Sequence, residues 1–150
     1  MAKYPRFNHV AMSMPAEALD EQGRADIIDF CHEVFGWTEI EQLTKDRQQL
    51  VLQAYTYGQF VFLIAGDEPM TAPRMDHFGM QVATMEELDG MLDRARAYKE
   101  KDPRVDIVDK SAEDFGPLVL TSFYVGHLLP LMVEVQHYEL TADAGGAHRG

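Results

Sequence analysis

Cysteine is nearly absent from this 150-residue chain. Cys31 stands alone, so no intramolecular disulfide framework and no multi-thiolate zinc site can form. Basic residues are scarce too: 13 Lys and Arg face 25 Asp and Glu, a formal charge of −12. That charge repels phosphate backbones and anionic lipid surfaces, which sets nucleic acid and membranes aside as partners. Long hydrophobic runs are also missing. Nowhere do about 18 uncharged apolar residues follow one another, and "MAKYPRFNHVAMSMP" lacks the roughly 7–15-residue apolar core of a secretory signal. The expectation is a soluble protein of the cytoplasm that is not exported.

What is present suits one globular domain, with 46% hydrophobic and 25% charged residues. The chain also repeats itself. "HVAMSM" at 9–14 and "HFGMQV" at 77–82 share one pattern of His, apolar, small, Met, polar, apolar, and the segments after the two copies are similar in kind. After the first, Ile27, Ile28, Cys31, Val34 and Phe35 form a helical apolar stripe that Gly36 is suited to end. After the second, Thr84 and Glu87 make a capping box, and Leu88, Met91, Leu92 and Ala95 form a buried face. Strand-like segments come after each helix, at roughly 38–43, 49–55 and 59–65, then at 105–109, 117–124 and 130–137. The fold class is therefore α+β, with paired βαβββ modules at about 6–66 and 74–139 forming a curled mixed sheet around a central cavity. Residues 1–139 make the domain and 140–150 a flexible tail. The stretch "PAEALDEQGR" is expected to be a loop that delays the first helix.

Strand alternation assigns the faces. His9, Ala11 and Ser13 oppose Val10 and Met12, while His77, Gly79 and Gln81 oppose Phe78, Met80 and Val82. Both histidines thus ride on a face of small or polar residues, suited to a cavity. In the last strand Met132, Glu134 and Gln136 oppose Leu131, Val133 and Val135. A glutamate flanked by valines is costly to bury unless a cation or hydrogen-bond donors compensate. Two imidazoles and a carboxylate make the two-His-one-carboxylate face that holds a divalent metal and leaves coordination positions open. The other histidines have weaker claims: His32 on a solvated helix face, His137 on the wrong phase, His148 in the tail. His127, in the turn before the last strand, is either exposed or near the site.

The stretches "FNHVAMSM", "DFCHEVFGW", "DHFGMQV" and "MVEVQ" together resemble the vicinal oxygen chelate superfamily. That superfamily includes glyoxalase I, methylmalonyl-CoA epimerase, extradiol dioxygenases, and fosfomycin and bleomycin resistance proteins. The resemblance covers roughly residues 6–139, with Cys31 where the helix motif usually has tyrosine. It implies that His9, His77 and Glu134 ligate a metal. Glyoxalase I and the epimerase add a fourth ligand from the last strand of the first module, where this chain has Phe62 or Leu63. A three-ligand site looks instead like that of extradiol dioxygenases, whose tyrosine ten residues before the glutamate matches Tyr124. Pro130 also fits their motif. Their Asp-Pro pair is replaced by His127-Leu128, and "FGP" stands where their catalytic histidine would fall.

The implied function is a metalloenzyme using Fe, Mn, Zn, Ni or Co on a small substrate that chelates through two neighbouring oxygens. Fe or Mn would suit ring cleavage of a catechol, and Zn, Ni or Co would suit isomerase or lyase chemistry. Tyr124 is then a hydrogen-bond donor to the chelated oxygen and His127 the candidate base. Phe60, Phe62 and Met132 are candidates to shape an apolar pocket. The alternatives are a binding or antibiotic-resistance protein that sequesters its ligand on the same fold, and a non-catalytic dimerisation domain. The resemblance also implies a homodimer, since modules pair between subunits in such families.

Overall fold

The computed structural model describes residues 4–56 and 58–141. The chain divides into two compact units. One is built from the chain up to Pro73 together with Leu128–Pro130, the other from Arg74–His127 and from Leu131 onward. Among the described residues each unit holds one α-helix and one four-stranded mixed sheet, and neither sheet closes into a barrel.

In the first unit β1 (His9–Met14), α1 (Glu21–Phe35), β2 (Thr38–Glu39), β3 (Gln49–Gln53) and β4 (Phe60–Ala65) form a sheet of order β1-β4-β3-β2. The expected delaying loop is largely helical. A 3-10 turn occupies Ala16–Leu19, and α1 begins at Glu21 because the Asp20 carboxylate accepts the Gly23 N–H at 2.7 Å. Gly36 ends α1 at φ 75°, with its N–H bonded to His32 O and the Trp37 N–H to Cys31 O. The stripe of α1 differs from expectation by one residue: Phe30 is buried and Ile28 only partly so. The strand expected at 38–43 is two residues long, and Glu41–Leu43 turns into a 3-10 helix.

In the second unit β5 (His77–Gln81), α2 (Met85–Lys101), β6 (Asp106–Asp114), β7 (Leu118–Gly126) and β8 (Met132–Leu140) repeat that plan, in the order β5-β8-β7-β6. The capping box at Thr84 and Glu87 is present in both directions. Leu88, Leu92, Ala95 and Tyr98 are the buried face of α2, while Met91 is half-buried. The helix covers the apolar side of its sheet, which carries Phe123, Val125, Val133 and Val135, each no more than 2% exposed. Burying each such side chain contributes roughly 1.5–3 kcal/mol. Strand β8 continues through Leu140, the first residue of the expected tail. Residues 142–150, His148 included, lie outside the described residues.

Candidate metal centre

Register pairing, which sequence alternation does not supply, decides which side chains meet in the second unit. Strand β8 is central, hydrogen-bonded to β5 in parallel and to β7 in antiparallel fashion. Gly79 on β5 and Tyr124 on β7 both lie directly opposite Glu134. His77 pairs with Met132, one step along the same face. The His77 Nε2 lies 3.7 Å from Glu134 Oε1. The His77 ring also meets the Tyr124 ring edge-on, with centroids 4.9 Å apart.

Glu134 is 5% exposed in this central strand. The Gln136 amide donates to Glu134 Oε1, and Tyr124 stands opposite on β7. The Tyr124 phenol is pushed up to about 12, first by its interaction with the Glu134 carboxyl group and then by burial. Tyr124 is therefore a donor throughout the neutral range.

The tautomer of His77 is set by its other nitrogen. Nδ1 lies 2.7 Å from the Met75 carbonyl, and a carbonyl only accepts, so Nδ1 carries the proton. The Nε2 of His77 then faces a carboxylate oxygen 3.7 Å away, a spacing that either a proton on Nε2 or a shared cation satisfies. Ligands about 2.1 Å from one ion are separated by roughly 3.0–3.4 Å at 90–110°, so a small movement would bring this pair to coordination distance. A ring nitrogen that donates to a backbone carbonyl while the other stays open is also the usual outer-shell arrangement of a ligating histidine. The donor set fits a divalent cation.

His9 is in the first unit and has the same polarity. Its Nδ1 is bonded to Asn8 Oδ1 at 2.7 Å, leaving Nε2 open, and its ring stacks on Phe60 at 4.8 Å and 3°. Within neither unit does any group of three His, Cys, Asp or Glu gather around a metal position, among the described residues. His77 and Glu134 are brought together in one unit; His9 belongs to the other.

His127 is placed elsewhere in the second unit. Its side chain is 1% exposed, with Nε2 3.3 Å from Asp102 Oδ2 and its ring against Tyr98. Asp102 is the C-cap of α2, and Arg104 grips it with contacts of 3.0 and 2.8 Å. His127 thus fastens the end of α2 to the end of β7 and is not gathered with His77 and Glu134. His32 hydrogen-bonds the Trp37 carbonyl just past the end of α1, and His137, opposite Thr121, lies on the other phase from Glu134.

No protein-family model matches this chain, and no curated protein matches it in sequence. Solved structures match it in fold. A lactoylglutathione lyase from Agrobacterium tumefaciens superposes with a TM-score of 0.58 at 16% identity, covering 91% of this chain and 96% of its own. The fosfomycin resistance protein FosX from Listeria monocytogenes, complexed with Mn(II) and a dihydroxypropylphosphonic acid, gives 0.56 at 16% identity, covering 90% and 92%. A glyoxalase/bleomycin resistance protein/dioxygenase from Alicyclobacillus acidocaldarius gives 0.57 at 17%, covering 87% and 89%. The fold is shared with these glyoxalase, fosfomycin resistance and bleomycin resistance structures.

The two modules can be compared position by position. His9 pairs with Phe60 as His77 pairs with Met132, and Ala11 pairs with Phe62 as Gly79 pairs with Glu134. Val51 lies opposite Phe62 as Tyr124 lies opposite Glu134. Phe62, not Leu63, is therefore the counterpart of Glu134; Leu63 is fully buried on the other face. The first module has the histidine and holds apolar residues where the second has its carboxylate and phenol. Gln136 and Tyr138, which sequence reasoning gave no role, continue the Glu134 face along β8, and the period-2 phase already placed them there.

Proposed function

We propose that this protein is a metal-dependent enzyme acting on a small substrate that chelates the cation through two neighbouring oxygens, such as a catechol, 2-hydroxycarbonyl or 1,2-dicarbonyl. His77 and Glu134, both in the second unit, are two ligands of the proposed site. The observation that carries the reading is the open Nε2 of His77 facing Glu134 Oε1, with Nδ1 committed to Met75 O. The matching polarity of His9 and the solved structures of like fold support it.

A divalent cation bound there supplies Lewis acidity toward the chelating oxygens and leaves positions for them to occupy. The chain's own residues do the rest. Glu134 balances the cation's charge, and the central position of β8 holds it rigid between two strands. Tyr124, with its phenol kept protonated, donates a hydrogen bond to substrate oxygen as negative charge develops there. His127 is given no proton-transfer role, because its Nε2 is engaged with Asp102. Tyr124 opposite Glu134, with Phe62 rather than a carboxylate at the equivalent position of the first module, favours extradiol-type ring opening over glyoxalase-type isomerisation. A homodimer is part of the proposal.

Metal content tests the reading. Purified protein, reconstituted with Fe(II) or Mn(II), is expected to hold about one equivalent by elemental analysis. The His9→Ala, His77→Ala, Glu134→Ala triple variant is expected to lose it with an unchanged far-UV spectrum. A wild-type protein that takes up no metal, or a variant that keeps it, overturns the proposal. Dioxygen uptake with catechols, run beside a 2-oxoaldehyde isomerisation assay, separates oxygenase from isomerase. Ligand binding without turnover in both assays would favour a sequestering protein.

A further inference from the structure

We propose that Tyr138 and Gln136 form a positioning relay that sets the orientation of the Glu134 carboxylate toward His77. The inference rests on the proposed metal site and extends it to two residues outside the ligand set.

Glu134, Gln136 and Tyr138 alternate onto one face of β8, opposite Tyr124, Ser122 and Leu120 of β7. The Gln136 amide nitrogen donates to Glu134 Oε1, the same oxygen that faces His77 Nε2. The Tyr138 hydroxyl then donates to Gln136 Oε1 at 2.9 Å. These directions are forced. An ionised carboxylate only accepts, so the amide must turn its NH2 group to Glu134 and its oxygen away, and that oxygen can only accept from Tyr138.

The consequence is mechanical and electrostatic. A carboxylate on a flexible side chain can turn either oxygen toward an ion, and the Gln136 donor fixes which one faces His77. An amide flips readily, and flipped it would set its own oxygen against Glu134. Tyr138 adds weight to the observed orientation, because its hydroxyl donates to Gln136 Oε1 there, while the clash of a flipped amide oxygen with the carboxylate supplies the larger penalty. Two linked donors also polarise one another, which strengthens the hold on Oε1. The first module has no counterpart at its equivalent positions: Phe62 and Ile64 stand where the second has Glu134 and Gln136. The relay therefore accompanies the carboxylate. Tyr138 is 41% exposed, so loss of its hydroxyl leaves the core untouched.

Co(II) titration of the metal-free full-length protein, followed by d–d absorption, is the test. Gln136→Met is expected to weaken Co(II) binding on the order of tenfold and to shift the d–d bands, and Tyr138→Phe to weaken it about threefold. In the Gln136→Met background Tyr138→Phe should add nothing, because its effect passes through the amide. A general loss of structure would give additive effects instead and would lower the thermal midpoint of the metal-free protein, which the relay leaves unchanged. Gln136→Asn, with its amide drawn back by one methylene, serves if Gln136→Met does not fold, and the same weakening is expected. Wild-type affinity in Tyr138→Phe, or additivity in the double variant, overturns the relay and leaves the ligand set standing. A wild-type protein that binds no Co(II) overturns both.

Discussion

Glu134 is a carboxyl side chain at 5% exposure in a central strand. The Gln136 donor offsets part of the lost hydration, and a cation shared with His77 would offset far more. Glu134→Gln keeps the volume and removes the charge. It is expected to lower Mn(II) affinity on the order of 100-fold or more, beyond the effect of outer-shell changes, with the circular dichroism spectrum unchanged. Calorimetric titration checks this, and wild-type affinity would remove Glu134 from the ligand set. Tyr124→Phe separates binding from chemistry. Metal content should hold, while turnover falls on the order of 100-fold if the hydroxyl stabilises charge on substrate oxygen. The phase of these residues was legible in the alternation of β8. What could not be read was that Gly79 and Tyr124 both sit opposite Glu134, since pairing partners come from strands far apart in sequence.

The helices are specified by their own ends. The Thr84 capping box satisfies N–H groups at the start of α2 in both directions, so Thr84→Ala is expected to cost about 1 kcal/mol in denaturant unfolding. Gly36 ends α1 at φ 75°, where any side chain brings backbone strain, and Gly36→Ala is expected to cost roughly 1 kcal/mol. Such signals are short-range, which is why both helices were legible in the sequence. The C-cap of α2 was not foreseen, because His127 reaches Asp102 from the end of β7, although Arg104 is only two residues away. Asp102 there is held down to about 2, chiefly by the Arg104 guanidinium. Its folded value lies below the unfolded value of about 3.9, so its contribution is present above about pH 4 and is lost as pH falls toward 2. The difference in thermal midpoint between the wild type and Asp102→Asn should accordingly shrink across that window. A difference that grows with acid would contradict the assignment.

At the scale of the molecule, two units of like topology each bury a helix against one sheet face and leave the other face to His9 or to His77 and Glu134. Leu63 and Phe123, both at 0% exposure, anchor those cores, and Leu63→Ala is expected to cost about 2–5 kcal/mol in chemical denaturation. No helix among the described residues is long and apolar enough to cross a membrane. The charge of −12 acts on the whole chain at once, and added salt that screens it should raise the melting temperature at pH 7.

The sequence alone determined the repeat, the helix starts and stops, and the strand phase, because each depends on residues within a turn or a pleat of one another. It set both histidines and Glu134 on faces free of helix packing. Only the tertiary structure decided the register: that His77 looks past Gly79 to Glu134, that Phe62 is the counterpart of that carboxylate, and that His127 serves the end of α2. Register is a property of strands paired across dozens of residues, and alternation within any single strand is silent about its partner.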